Sequence, residues 1–323
     1  MTSLPFVIVV VGPTASGKSD LAQRIGLKLN GEVVSADSMQ IYKGMDIGTG
    51  KVLPEHRMVP HHGLDIVDPG QPYSAALYQD YARIAFADIR SRGCTPILCG
   101  GTGFYVRAAM DDYRFPAGEQ VGNETRDRCN GYVESYGATA LWELLRQRDP
   151  DSAAIIPSAD VKRVVRAFEL LETGTTYARQ RSQLAHIKQV IPGVFIGLKV
   201  EPSLLRERIN RRVDGMFEQG LVQEVQRLLN EGFRDGITSP QAIGYKEVVA
   251  ALDGQISLDE ARAKIKVATH RYAKRQRTWF RKDRRICVID ADDGDFDRME
   301  KEALRIIDER SDTFERSGSM LDA

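Results

Sequence analysis

The chain has 323 residues, 42% hydrophobic and 28% charged, the balance of an ordinary globular protein with room for two domains, or for one domain carrying an insertion. Lys and Arg number 45 and so do Asp and Glu, for a formal net charge of +0; the whole chain advertises no polyanionic partner, and any nucleic-acid contact must come from locally clustered cations. No stretch approaches the roughly 20 apolar residues of a membrane helix, the first residues lack the cationic start of a secretory leader, and Cys94, Cys99, Cys129 and Cys287 have neither disulfide-framework nor zinc-finger spacing, so a cytosolic protein with free thiols and no membrane partner is expected.

In chain order, residues 6–11 form a short β-branched run that stops at a glycine-rich turn, which predicts a buried strand. Residues 19–29 place Leu21, Ala22, Ile25 and Leu29 on one helical stripe that closes near Asn30-Gly31. A second short strand over 32–36 ends at Asp37. Ser74 caps a helix over 74–91, followed by a strand over 96–99 and the turn Gly100-Gly101. Strand, helix, strand, helix, strand is the pattern of a parallel sheet with its functional loops along one edge.

Between 116 and 190 the chain turns rich in Arg, Glu, Gln and Ala at helical spacing, with no convincing strand. A strand returns over 194–200. Long helices are predicted over 204–232 and 258–282, a strand over 286–289, and then a charged tail that frays at its end. The fold class is therefore α/β: a P-loop NTPase-like parallel sheet flanked by helices, formed by 1–115 and 191–323, with an all-helical insertion domain over 116–190.

The strongest local signal is Gly12-Pro13-Thr14-Ala15-Ser16-Gly17-Lys18-Ser19, a G-x-x-x-x-G-K-[ST] phosphate loop set between a predicted strand and a predicted helix. Glycines let the backbone wrap a phosphate, amides at the helix start point at it, Lys18 adds charge and Ser19 is a ligand for magnesium. No Walker-B aspartate follows the 96–99 strand, which runs instead into Gly100-Gly101-Thr102-Gly103. The carboxylate that leaves a strand end is Asp37. Neighbouring parallel strands end at one edge, so Asp37 is expected beside the phosphate site, placed to take a proton or to hold a metal-bound water. No N-K-x-D guanine motif is present.

Five segments in order, GPTASGKS (12–19), DSMQIYKGMDIGTGK (37–51), GGTGFYVRA (100–108), QAIGYKE (241–247) and AKRQRTWFR (273–281), together resemble the tRNA dimethylallyltransferase family over nearly the whole chain. The resemblance implies a P-loop that holds the diphosphate of dimethylallyl diphosphate, with Mg2+, in a monomer. It implies transfer of the five-carbon group to N6 of adenine 37 beside the tRNA anticodon. Asp37 is then the general base, Lys18 and the loop amides steady the leaving diphosphate, and Thr102 contacts the reacting region. Ser38, Met39 and Gln40 join Asp37 and Thr102 against the acceptor. Arg208 and Arg212, one helical turn apart, are expected to clamp phosphate together.

Reaching N6 requires the base to leave its stack, and loop RNA is held by charge combined with aromatic stacking. Three segments are expected to do this. Lys162, Arg163, Val164, Val165 and Arg166 resemble the family's insertion motif, with Lys162 where Gln is usual. Gln241, Ala242, Ile243, Gly244, Tyr245 and Lys246 supply an amide, a flexible glycine, a tyrosine and a lysine. Lys274, Arg275, Gln276, Arg277, Thr278, Trp279, Phe280 and Arg281 lie in a basic stretch over 262–285 that also carries Tyr272. Arg126 is expected to contact RNA as well, on a looser positional match to the family. His61 and His62 lack metal spacing and read as structural, hydrogen-bonding groups; Asp65 and Asp68 read as loop caps.

Three other readings share parts of this pattern: an adenylate isopentenyltransferase acting on a free nucleotide, a P-loop small-molecule kinase, and a non-catalytic RNA-binding switch. The helical insertion and the basic-aromatic helix favour tRNA over a mononucleotide.

Overall fold

A computed structural model describes residues 6–115, 123–185 and 187–319, with side chains up to 183 in the second stretch and up to 311 in the third. The expected insertion start at Pro116 and the fraying end of the tail lie outside the described residues. The chain divides into two compact units, Met1–Met110 with Val190–Ala323, and Asp111–Gln189.

In the first unit the order is β1 (Val7–Val11), α1 (Lys18–Leu29), β2 (Gly31–Ser35), β3 (His61–His62), α2 (Ala75–Ser91), β4 (Thr95–Gly100) and α3 (Gly103–Met110). The second unit is helical, with α4 (Glu124–Tyr136), α5 (Ala138–Arg148), α6 (Pro150–Ile155), α7 (Val161–Glu172) and α8 (Tyr177–Ala185). The first unit resumes with β5 (Gly193–Lys199), α9 (Pro202–Glu218), α10 (Leu221–Asn230), α11 (Tyr245–Leu252), α12 (Leu258–Phe280), β6 (Ile286–Asp290) and α13 (Phe296–Ser319).

The strands form one sheet in the order β3-β2-β4-β1-β5-β6, every pairing parallel. β1 lies between β4 and β5, and all five of its residues are buried. Their alternation decides which core they enter: Ile8 and Val10 pack with α1, α9 to α13 and their loops, while Val7, Val9 and Val11 pack with α2 and α3. A parallel sheet covered on both faces needs this continuous apolar run.

The structure breaks the helix predicted over 204–232 into α9 and α10 at Gly220, whose φ of 98° is left-handed and free of Cβ strain only in glycine. The tail beyond 290 is a helix, not a simple charged extension. Met299, Ala303, Ile306 and Ile307 fall on one buried stripe there, sparse enough to be hidden among the acids and bases between them. His61 and His62 form the edge strand β3, with His61 Nδ1 2.8 Å from the Val59 carbonyl and His62 Nε2 2.6 Å from Glu32.

Candidate active site

Because the sheet is parallel, the loops leaving β2, β4 and β1 meet at one edge. In the loop after β1, Ala15 (φ 61°) and Gly17 (φ 88°) are left-handed, the backbone curl that turns successive amides toward an anion at the start of a helix. Packing under this loop is tight. A Cβ on Gly12 would lie 2.9 Å from Ser16 Oγ, and one on Gly17 would lie 2.9 Å from the Phe296 ring. Ser16 Oγ is buried and, among the described residues, has no hydrogen-bond partner, which leaves its hydroxyl able to donate to an anion held by this loop.

Lys18 opens α1. Burial pushes its ammonium below the ordinary value and Arg212 adds to this, against the pull of Cys99, Asp37 and Asp20. Arg212 reaches in from α9, its guanidinium donating to the Thr49 carbonyl at 3.4 Å and filling the space left by Gly50. Burial lowers its pKa too, opposed by Asp37 and Asp20. Lys18, Arg212 and Asp37 therefore share one local field. Arg208, one turn away, goes elsewhere: it donates to the carbonyls of Ala291 (3.0 Å) and Asp292 (2.8 Å) beyond β6. The spacing that placed both arginines on one helix face did not bring both to one site, because those free carbonyls capture the first.

Asp37 follows β2 by two residues, and its Oδ1 accepts from the Met39 amide at 2.9 Å. The neighbouring loop is held against it at backbone distance. Thr102 N donates to the Ala36 carbonyl at 3.1 Å, Ser38 N donates to Thr102 Oγ1 at 3.1 Å, and a Cβ on Gly100 would collide with Ala36. Gln40 turns back, its amide donating to the Thr49 and Gly50 carbonyls at 3.4 Å each, while Met39 packs on the core.

α12 crosses this edge and presents Tyr272, Gln276 and Trp279, spaced i, i+4, i+7, on one side. Burial pushes the Tyr272 phenol well up, as does the charge of Asp37, against hydrogen bonds to Thr102 and Gln276. Gln276 is buried and joins two loops: its Oε1 accepts from Thr14 N and its Nε2 donates to the Gly101 carbonyl, each at 2.9 Å. Trp279 sits on Gly103 with 40% of its surface exposed. Lys274, Arg275, Arg277, Thr278 and Arg281 are exposed and Phe280 is half-buried. An apolar groove of about 780 Å³ beside this helix touches Gly12 and Pro13 and contains neither Asp37 nor Thr102. Its rim carries Arg206, Arg271, Lys274, Arg277 and Arg281.

Of the 241–246 segment, Gln241 and Lys246 are exposed, Ile243 is half-buried, and Ala242, Gly244 and Tyr245 are buried. Gly244 (φ 98°) caps α11. Tyr245 donates to Glu224 Oε1 at 2.6 Å, and the same carboxylate accepts from the amides of Asp46 (3.2 Å), Ile47 (2.8 Å) and Gly48 (3.2 Å). Sequence reasoning missed Glu224 and the siting of Tyr272. A signal for the former existed: an acid at 224 interrupts the buried stripe Leu221, Val225, Leu228.

In the helical unit, Lys162 and Arg163 are exposed while Val164 and Val165 are core. Arg163 pairs with Asp160 at 3.2 Å. Arg126 and Arg166 both bind the buried Glu169, at 2.9 and 3.0 Å. Burial alone would raise the Glu169 pKa, but these hydrogen bonds leave it lowered.

A phosphate-cradling loop on a parallel sheet, with a carboxylate at the next strand ends and two cations beside it, defines a P-loop group-transfer enzyme. The chain belongs to the IPP transferase family, whose model matches residues 40–283. It is 46% identical over 287 residues to the tRNA dimethylallyltransferase of Carboxydothermus hydrogenoformans, covering 88% of this chain and 92% of that one. Among solved structures, the full-length tRNA isopentenylpyrophosphate transferase from Bacillus halodurans superposes with a TM-score of 0.69 at 40% identity, over 96% of this chain and 99% of that one. A eukaryotic dimethylallyltransferase acting on tRNA superposes with a TM-score of 0.73 at 30% identity, over 90% of this chain and 74% of the other.

Proposed function

We propose that this protein transfers the dimethylallyl group of dimethylallyl diphosphate to N6 of adenine 37, next to the tRNA anticodon, and releases diphosphate. The observation that carries the reading is the meeting of Asp37, Thr102, Lys18 and Arg212 at one sheet edge, in a chain of the IPP transferase family.

In the reaction, the lone pair of N6 forms the new bond to C1 of the isoprenoid as the C1–O bond breaks, its electron pair leaving with the diphosphate. The N6 proton passes to the Asp37 carboxylate, which the Met39 amide holds in place. Lys18, the loop amides of 12–19 and Arg212 offset charge gathering on the diphosphate. Arg208, held by the Ala291 and Asp292 carbonyls, is left outside that set. Ser19, the second residue of α1, is the residue that would hold a magnesium ion arriving with the diphosphate, and such an ion, when bound, would supply further charge neutralisation.

The acceptor reading rests on α12 and on the helical unit. Exposed Lys274, Arg275, Arg277 and Arg281, with Trp279 among them, suit an RNA backbone with bases to stack; Gln241 and Lys246 are exposed at the 241–246 segment. Lys162 and Arg163, the latter paired with Asp160, are exposed cations of the helical unit. The family resemblance implies a monomer that acts in the cytoplasm. Among the described residues no helix is long and apolar enough to cross a membrane.

The test is incubation with unmodified tRNA, magnesium and radiolabelled dimethylallyl diphosphate, with AMP as a parallel acceptor. Label in tRNA and not in AMP is expected. Label in AMP alone would make this a nucleotide-modifying relative, and label in neither would send the search to small-molecule phosphoryl acceptors.

A further inference from the structure

Gln276 lies within the basic stretch of α12, yet it is 4% exposed and both ends of its amide are spent inside the protein. Oε1 takes the Thr14 N–H of the phosphate loop, and Nε2 gives a hydrogen to the Gly101 carbonyl of the loop after β4, at 2.9 Å each. The fit is close on the second side, where a Cβ on Gly101 would run into the Gln276 amide.

What the two loops carry gives this bridge its consequence. Thr14 belongs to the loop that cradles diphosphate. Gly101 precedes Thr102, whose hydroxyl accepts from Ser38 N, one residue from the Asp37 carboxylate. A single planar amide thus joins the element that holds the donor to the element that holds the general base and acceptor. The amide is the one side chain of this length that offers an acceptor at one corner and a donor at the other. A carboxylate would lose the donor and face the Gly101 carbonyl with negative charge; an apolar chain of equal length would leave Thr14 N–H and Gly101 O without their partner in a buried place.

We propose that Gln276 is a positioning residue that sets the distance between the diphosphate loop and the Asp37–Thr102 pair, and that it acts without touching RNA. This rests on the transfer reaction proposed above. Direct displacement demands that N6, C1 and the departing oxygen be aligned, and an error near 1 Å costs on the order of 100-fold in rate. Gln276 is then felt in the chemical step and in the hold on diphosphate, not in RNA affinity.

The experiment compares wild type, Gln276→Met, Gln276→Glu, Thr102→Ala and the double variant Gln276→Met/Thr102→Ala. Single-turnover transfer rate, tRNA Kd, the affinity of inorganic diphosphate and the thermal midpoint are measured for each. Gln276→Met is expected to lower the rate by about 100-fold and diphosphate affinity by several-fold, with tRNA Kd unchanged within twofold. Gln276→Glu is expected to fall at least as far. Because Gln276 acts through the loop that carries Thr102, the double variant should lose less than the product of the two single losses.

Weaker tRNA binding at an unchanged single-turnover rate would make Gln276 an RNA contact and overturn the proposal. So would wild-type rates in both variants, strictly multiplicative losses in the double variant, or melting of both single variants, which would make the bridge a fold element only. If wild-type protein transfers no label at all, it is the transfer reading that fails, and the bridge is still judged by diphosphate affinity in the Gln276 variants.

Discussion

The Ser38 amide donates to Thr102 Oγ1 at 3.1 Å, tying the loop after β4 to the loop after β2 one residue from the Asp37 carboxylate. Two loops 64 residues apart in sequence are thereby held at the precision of a hydrogen bond. Removing the hydroxyl while keeping the volume, as Thr102→Val, should lower kcat by about tenfold through misplacement of Asp37 and loss of any contact Thr102 makes to the acceptor. Diphosphate affinity should stay within twofold, because the hydrogen bond removed joins Thr102 to Ser38 and not to the phosphate loop. A rate equal to wild type would remove Thr102 from the site.

Asp37 itself is the sharper case. Asp37→Asn keeps the shape and the acceptor for Met39 N, but it cannot take a proton. A lost general base costs roughly 10²–10⁴-fold, so single-turnover transfer should fall within that range while tRNA Kd moves by less than threefold. Retention of more than a tenth of the activity would mean that the proton leaves by another route.

Glu224 makes the loop over 46–48 as firm as a strand, by accepting three backbone amides and the Tyr245 hydroxyl. Glu224→Ala leaves the buried Tyr245 hydroxyl and three half-buried amides without this partner and should destabilise the protein by about 3 kcal/mol, read as a drop in Tm of roughly 5–10 °C. Tyr245→Phe removes one of the four bonds and should cost about 1 kcal/mol. A Glu224→Ala midpoint within 2 °C of wild type would show that the loop has another anchor.

Glu32 carries the clearest pH signature. The Arg92 guanidinium, and secondarily His62, hold its carboxyl at about 2, below the ordinary 4.5, in spite of burial. A depressed carboxyl stabilises the fold fully above the unfolded-state pKa, and that contribution is lost as pH falls from about 4.5 toward 2. Arg92 is 44% exposed, so solvent screening limits the contribution to about 1–2 kcal/mol. Urea unfolding of wild type and Glu32→Gln should differ by that amount at pH 7, with the gap narrowing below pH 4.5 and closing only near pH 2. A gap independent of pH would place the effect of Glu32 in packing instead.

What could be read from the sequence follows from how local each cause is. The phosphate loop is written in eight consecutive residues, and β1 in a run that only a doubly covered strand needs, so both were legible. Asp37 was legible because parallel topology brings strand ends together without knowledge of side chains. The break at Gly220 was not, since a single glycine within an amphipathic stretch reads equally well as a tolerated helix residue. Nor were the divergence of Arg208 from Arg212 and the burial of Gln276. These depend on which carbonyls are left free after β6 and in the loop after β4, and such partners are set by tertiary packing between segments 83 and 175 residues apart. Spacing tells which residues share a helix face; it does not tell what that face meets.

The basic surface of α12 makes the remaining prediction. Lys274 and Arg281 are exposed and, among the described residues, lie in no ion pair. If each rests near one RNA phosphate, each alanine substitution should weaken tRNA binding for every sequence alike and reduce the slope of log K against log salt by about 1. Trp279→Ala offers the contrast. An indole stacked on a base contributes on the order of 1–3 kcal/mol without releasing a counterion, so affinity should fall while the slope stays at its wild-type value. Gln276→Met should move neither affinity nor slope, since its amide is turned to Thr14 and Gly101. Four variants, three in α12 and one at its C-cap Arg281, thus separate charge, stacking and internal bridging. Equal slopes in all of them would place the RNA on another face of the protein.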